Sequence, residues 1–215
     1  MTETSPVVAG LRSIHRIITR GLSVSIEKCD GYLGKKGMAS RETVGFSKYA
    51  ATLKWIMHSH HLTEDEIVFP YFKDRVEAPY TRLGDDHQAM TRILVKLDNC
   101  LPGVSSGGIA ELREVLVELD MLWGPHKNIE EECFTTEKLQ PVMRIQEQVD
   151  LAKKFADHGS RNSGPAPLAV PFMFYNLDAE NREDFMRMFP WIVKKVLVPV
   201  VWREKWKPIS PFLLV

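Results

Sequence analysis

Apolar residues recur at intervals of three and four along most of the chain, the spacing that turns one face of a helix into a core. Val8, Leu11, His15, Ile18, Leu22 and Ile26 share one face of a first helix, which the glycine-rich stretch 30-DGYLGKKGMAS-40 should end in a long loop. A second helix is expected from about Arg41 to Phe69, with a break near Pro70; Leu53, Ile56, His60, Glu64, Ile67 and Tyr71 form one of its rows. A third covers about Tyr80 to Asn99, with Leu83, His87, Met90, Leu94 and Leu97 on one side. Beyond the loop 101-LPGVSSGGI-109, a fourth runs from about Ala110 to Glu137, carrying Leu119, Leu122, His126, Glu130 and Cys133 in a row. Pro125 should bend it or mark a join, since proline removes a helix hydrogen bond. A fifth, amphipathic helix spans about Pro141 to Asp157.

The pattern then changes. The segment 159-GSRNSGPAPLAVP-171 reads as a linker, and 172–215 as two further helices separated near Pro190. Only Val196–Val201 competes as a strand. The expected class is therefore all-α: a four-helix bundle with additional C-terminal helices, residues 159–215 forming a linker and an extension that packs on it.

Composition narrows the function classes. With 215 residues there is enough chain for one domain plus an extension. Lys+Arg and Asp+Glu are 28 each, so no basic stripe of the kind nucleic acid requires stands out, and no nucleic-acid partner is expected. The start, MTETSPVVAG, lacks the cationic and apolar segments of a signal peptide, and no run of apolar residues reaches membrane-spanning length. Cys29, Cys100 and Cys133 are odd in number and form no CxxC pair, which suits free thiols in a reducing compartment; a cytoplasmic location is expected.

The chemistry lies in the histidines. His60 and Glu64, and again His126 and Glu130, are four residues apart, so each pair leaves its helix from one patch, about 40° apart around the axis. His15 and His87 sit on the apolar rows of two other helices. Brought together in a bundle, four imidazoles and two carboxylates would be costly to bury alone. Two metal ions remove that cost, and imidazole with carboxylate suits iron, zinc, copper or manganese. If both glutamates bridge, each ion has two nitrogens and two oxygens, with room left for dioxygen. His61, paired with Asp65 on the neighbouring row, is the alternative to His60 and Glu64; Lys54 at the start of that row argues for His60. His58 should be exposed, and His158 should sit at a helix end, facing its dipole. Glu66, Asp86, Glu131 and Glu132 read as a solvated face from which one could support a ligand histidine, and Cys133 as a core thiol. The HxHxDH pattern of metallo-hydrolases fails at Leu62 and Thr63, and neither ExxH nor HExxH occurs.

The segment 60-HHLTEDEIVFP-70, His126 with 130-EEE-132, His15 within 11-LRSIHRII-18 and His87 within 85-DDHQAM-90 together resemble the hemerythrin-like, or HHE cation-binding, family over about residues 8 to 158. The resemblance implies an up-down four-helix bundle holding two non-haem iron ions joined through oxygen, with His15, His60, Glu64, His87, His126 and Glu130 as metal ligands and zinc or manganese as lesser alternatives. Thr91 stands where oxygen carriers of the family have a further histidine, and Glu130 replaces an aspartate one position later. A reduced nitrogen count favours oxygen activation over reversible carriage. The tail segments 170-VPFMFYNLD-178 and 202-WREKWKPISPFLLV-215 are similar to those of a largely fungal group. Its aromatic residues could wall a pocket for a small organic substrate or simply pack. The expected function is an oxygen-dependent diiron oxidase or oxygenase, its catalytic residues and substrate unassigned; the alternative is a non-enzymatic oxygen, iron or redox sensor. The stretch 191-WIVKKVLVPVVW-202 is apolar and flanked by bases, but membrane contact is not expected.

Overall fold

A computed structural model describes residues 5–34 and 40–215. Helix α1 (Pro6–Leu33) opens with the Ser5 side chain accepting a hydrogen bond from the Val8 amide and with proline at the first helical position, where no N–H is needed. It runs into the stretch expected as a loop; residues 35–39 of that loop lie outside the described residues.

Helix α2 (Ser40–Thr63) passes without a break into a π-helical turn (Glu64–Val68) and α3 (Phe69–Phe72). The reason is Pro70. It has no N–H to return to the chain, and its ring crowds the carbonyl one turn back. Widening the preceding turn relieves this, and the Phe69 amide reaches the Glu64 carbonyl five residues before it. The expected break at Pro70 is thus a local widening.

Helix α4 (Tyr80–Cys100) leads through a 3₁₀ turn (Leu101–Ser106) to α5 (Ile109–Cys133). Pro125 lies inside α5, which continues through it as helix and ends four residues earlier than expected. After the short α6 (Thr136–Leu139) comes α7 (Ile145–Asn162). The presumed linker is largely ordered as the end of α7 and as α8 (Ala166–Tyr175). Helix α9 (Ala179–Arg187), a second π-helical segment (Val193–Val201), α10 (Arg203–Trp206) and a 3₁₀ turn (Lys207–Phe212) complete the tail. Val196–Val201 is therefore helical, and no strand occurs among the described residues. Proline again sits within the widened turns, at Pro199.

Helices α1, α2, α4 and α5 close a four-membered bundle in which α1 packs on α2 and α5, and α4 packs on the same two. Helix α7 lies against α1 and α2, while α8 and the Lys207–Phe212 turn cover α2 further along. Phe172 and Phe212 of the tail pack on Tyr49, and Phe212 also meets Phe46. A buried polar link ties the tail down: the Tyr49 hydroxyl donates to Asn176 Oδ1 at 2.7 Å, and the Arg20 guanidinium donates to Asn176 and to the Phe212 carbonyl.

The apolar interior falls into two clusters. One contains Ile18, Leu22, Leu53, Met57, Met90, Leu94, Leu119 and Trp123 together with the tail aromatics. The other contains Val8, Phe69, Phe72, Leu83, Phe134, Leu139 and Leu151. No described helix is long and apolar enough to cross a membrane.

Candidate metal centre

On each bundle helix the chemistry-bearing residues fall between these two clusters. His15 lies between Val8 and Ile18, His60 to Glu64 between Met57 and Phe69, His87 between Leu83 and Met90, and His126 to Glu130 between Trp123 and Phe134. The result is a polar layer across an otherwise apolar bundle. All seven side chains in it, His15, His60, His61, Glu64, His87, His126 and Glu130, are buried, with exposures from 0% to 8%.

Their ligating atoms converge. Potential donors of His15, His60, Glu64 and Glu130 lie within 4.8 Å of one another; so do those of His61, His87 and His126, and those of Glu64, His87, His126 and Glu130. Glu130 faces both ways. One oxygen lies 3.2 Å from His15 Nε2, and the other 3.3 Å from His126 Nε2. Glu64 Oε2 stands 3.3 Å from His60 Nε2 and 3.5 Å from His87 Nε2. The two glutamates therefore stand between a pair of histidines and a triplet.

The donor atoms need something the protein does not itself provide. His15 Nε2, His60 Nε2, both ring nitrogens of His61, Glu64 Oε2 and both oxygens of Glu130 are buried without a hydrogen bond. Each such atom costs on the order of 1–3 kcal/mol. The electrostatics carry the same message. His60 and His61 are held well below the usual imidazole range, first by burial and then by the positive charge of neighbouring rings. Burial, reinforced by the charge of Glu130, holds the Glu64 carboxyl well above its ordinary value. For Glu130 burial pulls upward, but His126 and His15 outweigh it and keep the carboxylate ionised. A bound cation would satisfy the orphaned lone pairs and balance the glutamates at once.

The outward ring nitrogens are held by acids. His15 Nδ1 meets Glu131 at 2.9 Å, His87 Nδ1 meets Asp65 at 2.7 Å, and His126 Nδ1 meets Asp86 at 3.4 Å. With Nδ1 carrying the proton, Nε2 presents its lone pair inward. Trp123 walls the layer on one side, its ring 5.3 Å from that of His15 and 5.8 Å from that of His60, with its indole N–H donating to Thr19 Oγ1. On the other side Phe69 stacks on His87.

All six residues singled out from the sequence meet in this layer. Both alternatives, His60 and His61, turn their rings inward, and His61 stacks on His87 with centroids 4.3 Å apart. Five imidazoles are present, not four; the one missing at Thr91 on α4 is matched by His61 from α2. Asp65 points outward to His87 instead of partnering His61. Supporting acids number three where the sequence suggested one. His58 is exposed, as its row implied. His158 does not simply face a helix end: it bonds Thr63 Oγ1 and Glu66, both at 2.9 Å, and joins α7 to the π turn. Cys29 and Cys100 are buried free thiols, whereas Cys133 is half-buried and borders a surface cavity with Arg75 and Lys138.

A helical bundle crossed by a buried layer of histidine and glutamate defines a metal-cation-binding protein. The chain belongs to the hemerythrin HHE cation-binding domain family, whose model matches residues 7–136. No curated protein and no solved structure matches it.

Proposed function

We propose that the chain is a non-haem diiron protein that binds dioxygen in a closed site and serves as an oxygen- or redox-binding protein. The observation that carries this reading is the donor set: five imidazoles and two shared carboxylates, enclosed by Trp123 and Phe69. His61, His87 and His126 would hold one ion and His15 and His60 the other, with Glu64 and Glu130 between them. The second position would have fewer imidazoles, which would leave more room there for a small ligand. Two iron ions would supply one-electron redox chemistry and affinity for dioxygen. The chain's own part is to hold the donors in place: Glu131, Asp65 and Asp86 orient three rings, Glu64 and Glu130 face both positions, and the aromatic walls keep bulk water out.

The oxidase or oxygenase reading rests on a low nitrogen count and on a substrate pocket under the tail. His61 removes the first support. As for the second, Phe172 and Phe212 pack on Tyr49, eleven residues before His60 and so about 16 Å along the helix at its usual rise. The cavities bordered by Cys133 and by Tyr71 also open elsewhere.

The test is metal analysis and absorption spectroscopy of protein produced with iron, through cycles of air and argon after reduction. About two irons per chain and a visible spectrum that appears in air and disappears under argon are expected. A single irreversible oxidation accompanied by consumption of an added organic substrate would support the oxidase instead. One zinc per chain, with no iron taken up, would overturn both.

A further inference from the structure

The tail has an outer face that the bundle does not use. The segment Val193–Val201 is pinned from within by Val198, which is buried and whose carbonyl accepts a 2.8 Å hydrogen bond from the Trp206 indole. Phe189 just before it packs on Phe174, and Trp206 packs on Tyr175. The widened helix has about 4.4 residues per turn, so Trp191, Lys195 and Val200 follow one another along its outside, with Ile192 and Val201 beside them. Trp191 is 67% exposed and Val200 68%; Ile192, Val201 and the preceding Met188 are exposed too. Among the described residues, five exposed large apolar side chains, Met188, Trp191, Ile192, Val200 and Val201, fall within this one short stretch, whereas those of the bundle are scattered along its length. A largely exposed tryptophan beside exposed valine and isoleucine is what a soluble surface avoids unless something covers it.

The charges around this face indicate what covers it. The chain as a whole is neutral, yet Lys194, Lys195, Arg203 and Lys205 cluster here and make no ion pair among the described residues. Nearby Arg187 and Lys207 are paired with acids of their own helical turns. A second copy of the chain docking through this face by a two-fold axis would bring the same four cations against themselves. A sheet of anionic headgroups over acyl chains complements both the bases and the apolar side chains.

We infer that the outer face of Trp191–Val201, with Lys194, Lys195, Arg203 and Lys205, is a peripheral docking surface for an anionic phospholipid membrane. The bundle would be held at the lipid surface without any spanning segment, Trp191 and Val200 entering the headgroup boundary and the bases remaining among the phosphates. Surface attachment through this stretch is one of the uses its sequence suggests, although membrane contact is not the expectation.

The experiment is flotation of the 215-residue chain with vesicles of phosphatidylcholine alone and of phosphatidylcholine with about 30% phosphatidylserine. Binding to the anionic vesicles at least tenfold stronger than to the neutral ones, and weakened by salt, is expected. Lys194→Glu with Lys195→Glu should reduce it by at least tenfold, as should Trp191→Ser with Val200→Ser. Trp191, Lys195 and Val200 are exposed and Lys194 is half-buried, and circular dichroism would show both variants folded. Equal partition into neutral and anionic vesicles, no partition into either, or retention of binding by both variants would overturn the inference. So would a concentration-dependent dimer in sedimentation that Trp191→Ser with Val200→Ser abolishes while vesicles remain unbound, since the occupant would then be a second copy.

Discussion

Replacing His61 by leucine should raise the stability of the metal-free protein and shrink the gain in stability that metal brings. In the folded chain both ring nitrogens of His61 are buried and unpartnered. An unsatisfied buried polar group costs on the order of 1–3 kcal/mol, and leucine has similar bulk with nothing to satisfy. Protein stripped of metal should therefore gain about 2 kcal/mol on His61→Leu, or about 4–8 °C in Tm for a chain of this size. Loaded protein loses one of five imidazoles. Weakening the metal site by at least tenfold removes at least about 1.4 kcal/mol of the stabilisation that bound metal contributes, so the rise in Tm on adding iron should shrink. The assay is thermal unfolding by circular dichroism of wild type and variant, each stripped with chelator and each reloaded, with metal content measured in parallel. If the stripped variant were less stable than stripped wild type, His61 would be a packing residue. If iron content and the metal-induced rise in Tm were both unchanged, the triplet of His61, His87 and His126 would not be a binding position.

Other outcomes follow from the same geometry. Glu131→Gln and Asp65→Asn each weaken the hold on one ring nitrogen; metal affinity by competitive chelation should fall about 10–100-fold while the fold persists. Gly45→Ala would place a Cβ 2.2 Å from the Pro208 carbonyl oxygen, a backbone atom that cannot step aside, so about 1–3 kcal/mol of stability should be lost in a denaturant titration. Metal-free protein should lose stability as pH falls from about 6.5 toward 5. The unfolded chain protonates His60 and His61 in that window while the folded chain does not; the raised Glu64 carboxyl offsets one of those two protons, and the raised His15 ring offsets part of the other near pH 6.5 but little near pH 5, so the loss steepens on acidification. Unfolding midpoints at several pH values would show the slope, and a rise on acidification would contradict it.

The helical periodicity was legible, and with it the row positions of His15, His87 and both HxxxE pairs. What the row method missed was that α2 has two neighbours within the bundle. Seen from one helix of a square bundle, the two adjacent helices lie roughly a right angle apart, and consecutive residues are separated by about 100°. His60 therefore addresses His15 on α1, His61 addresses His87 on α4, and Glu64, at about 40°, falls between them. Lys54 seemed to mark the His61 row as exposed. In fact it bonds Asp98 of α4, so it marked the direction of that row. The supporting acids were visible only as charges, because pairing with a particular ring depends on how the helices are set against one another. The tail was the least legible part: proline-containing widened helices have no simple period, and Val196–Val201 mimics a strand in composition.

The polar layer has a consequence for how the molecule comes apart. It separates one apolar half, fastened by the tail through Tyr49, Asn176 and Phe212, from another formed around Phe72, Phe134 and Leu139. Neither half contributes apolar contacts across the seven buried ionisable side chains, so cooperativity between them must pass through the cation-binding layer or along the helix backbones. A bound cation would then act as a rivet between two halves of unequal strength. The chain's lifetime in a cell would be set by its metal supply, with the half that lacks the tail opening first to proteases when that supply fails.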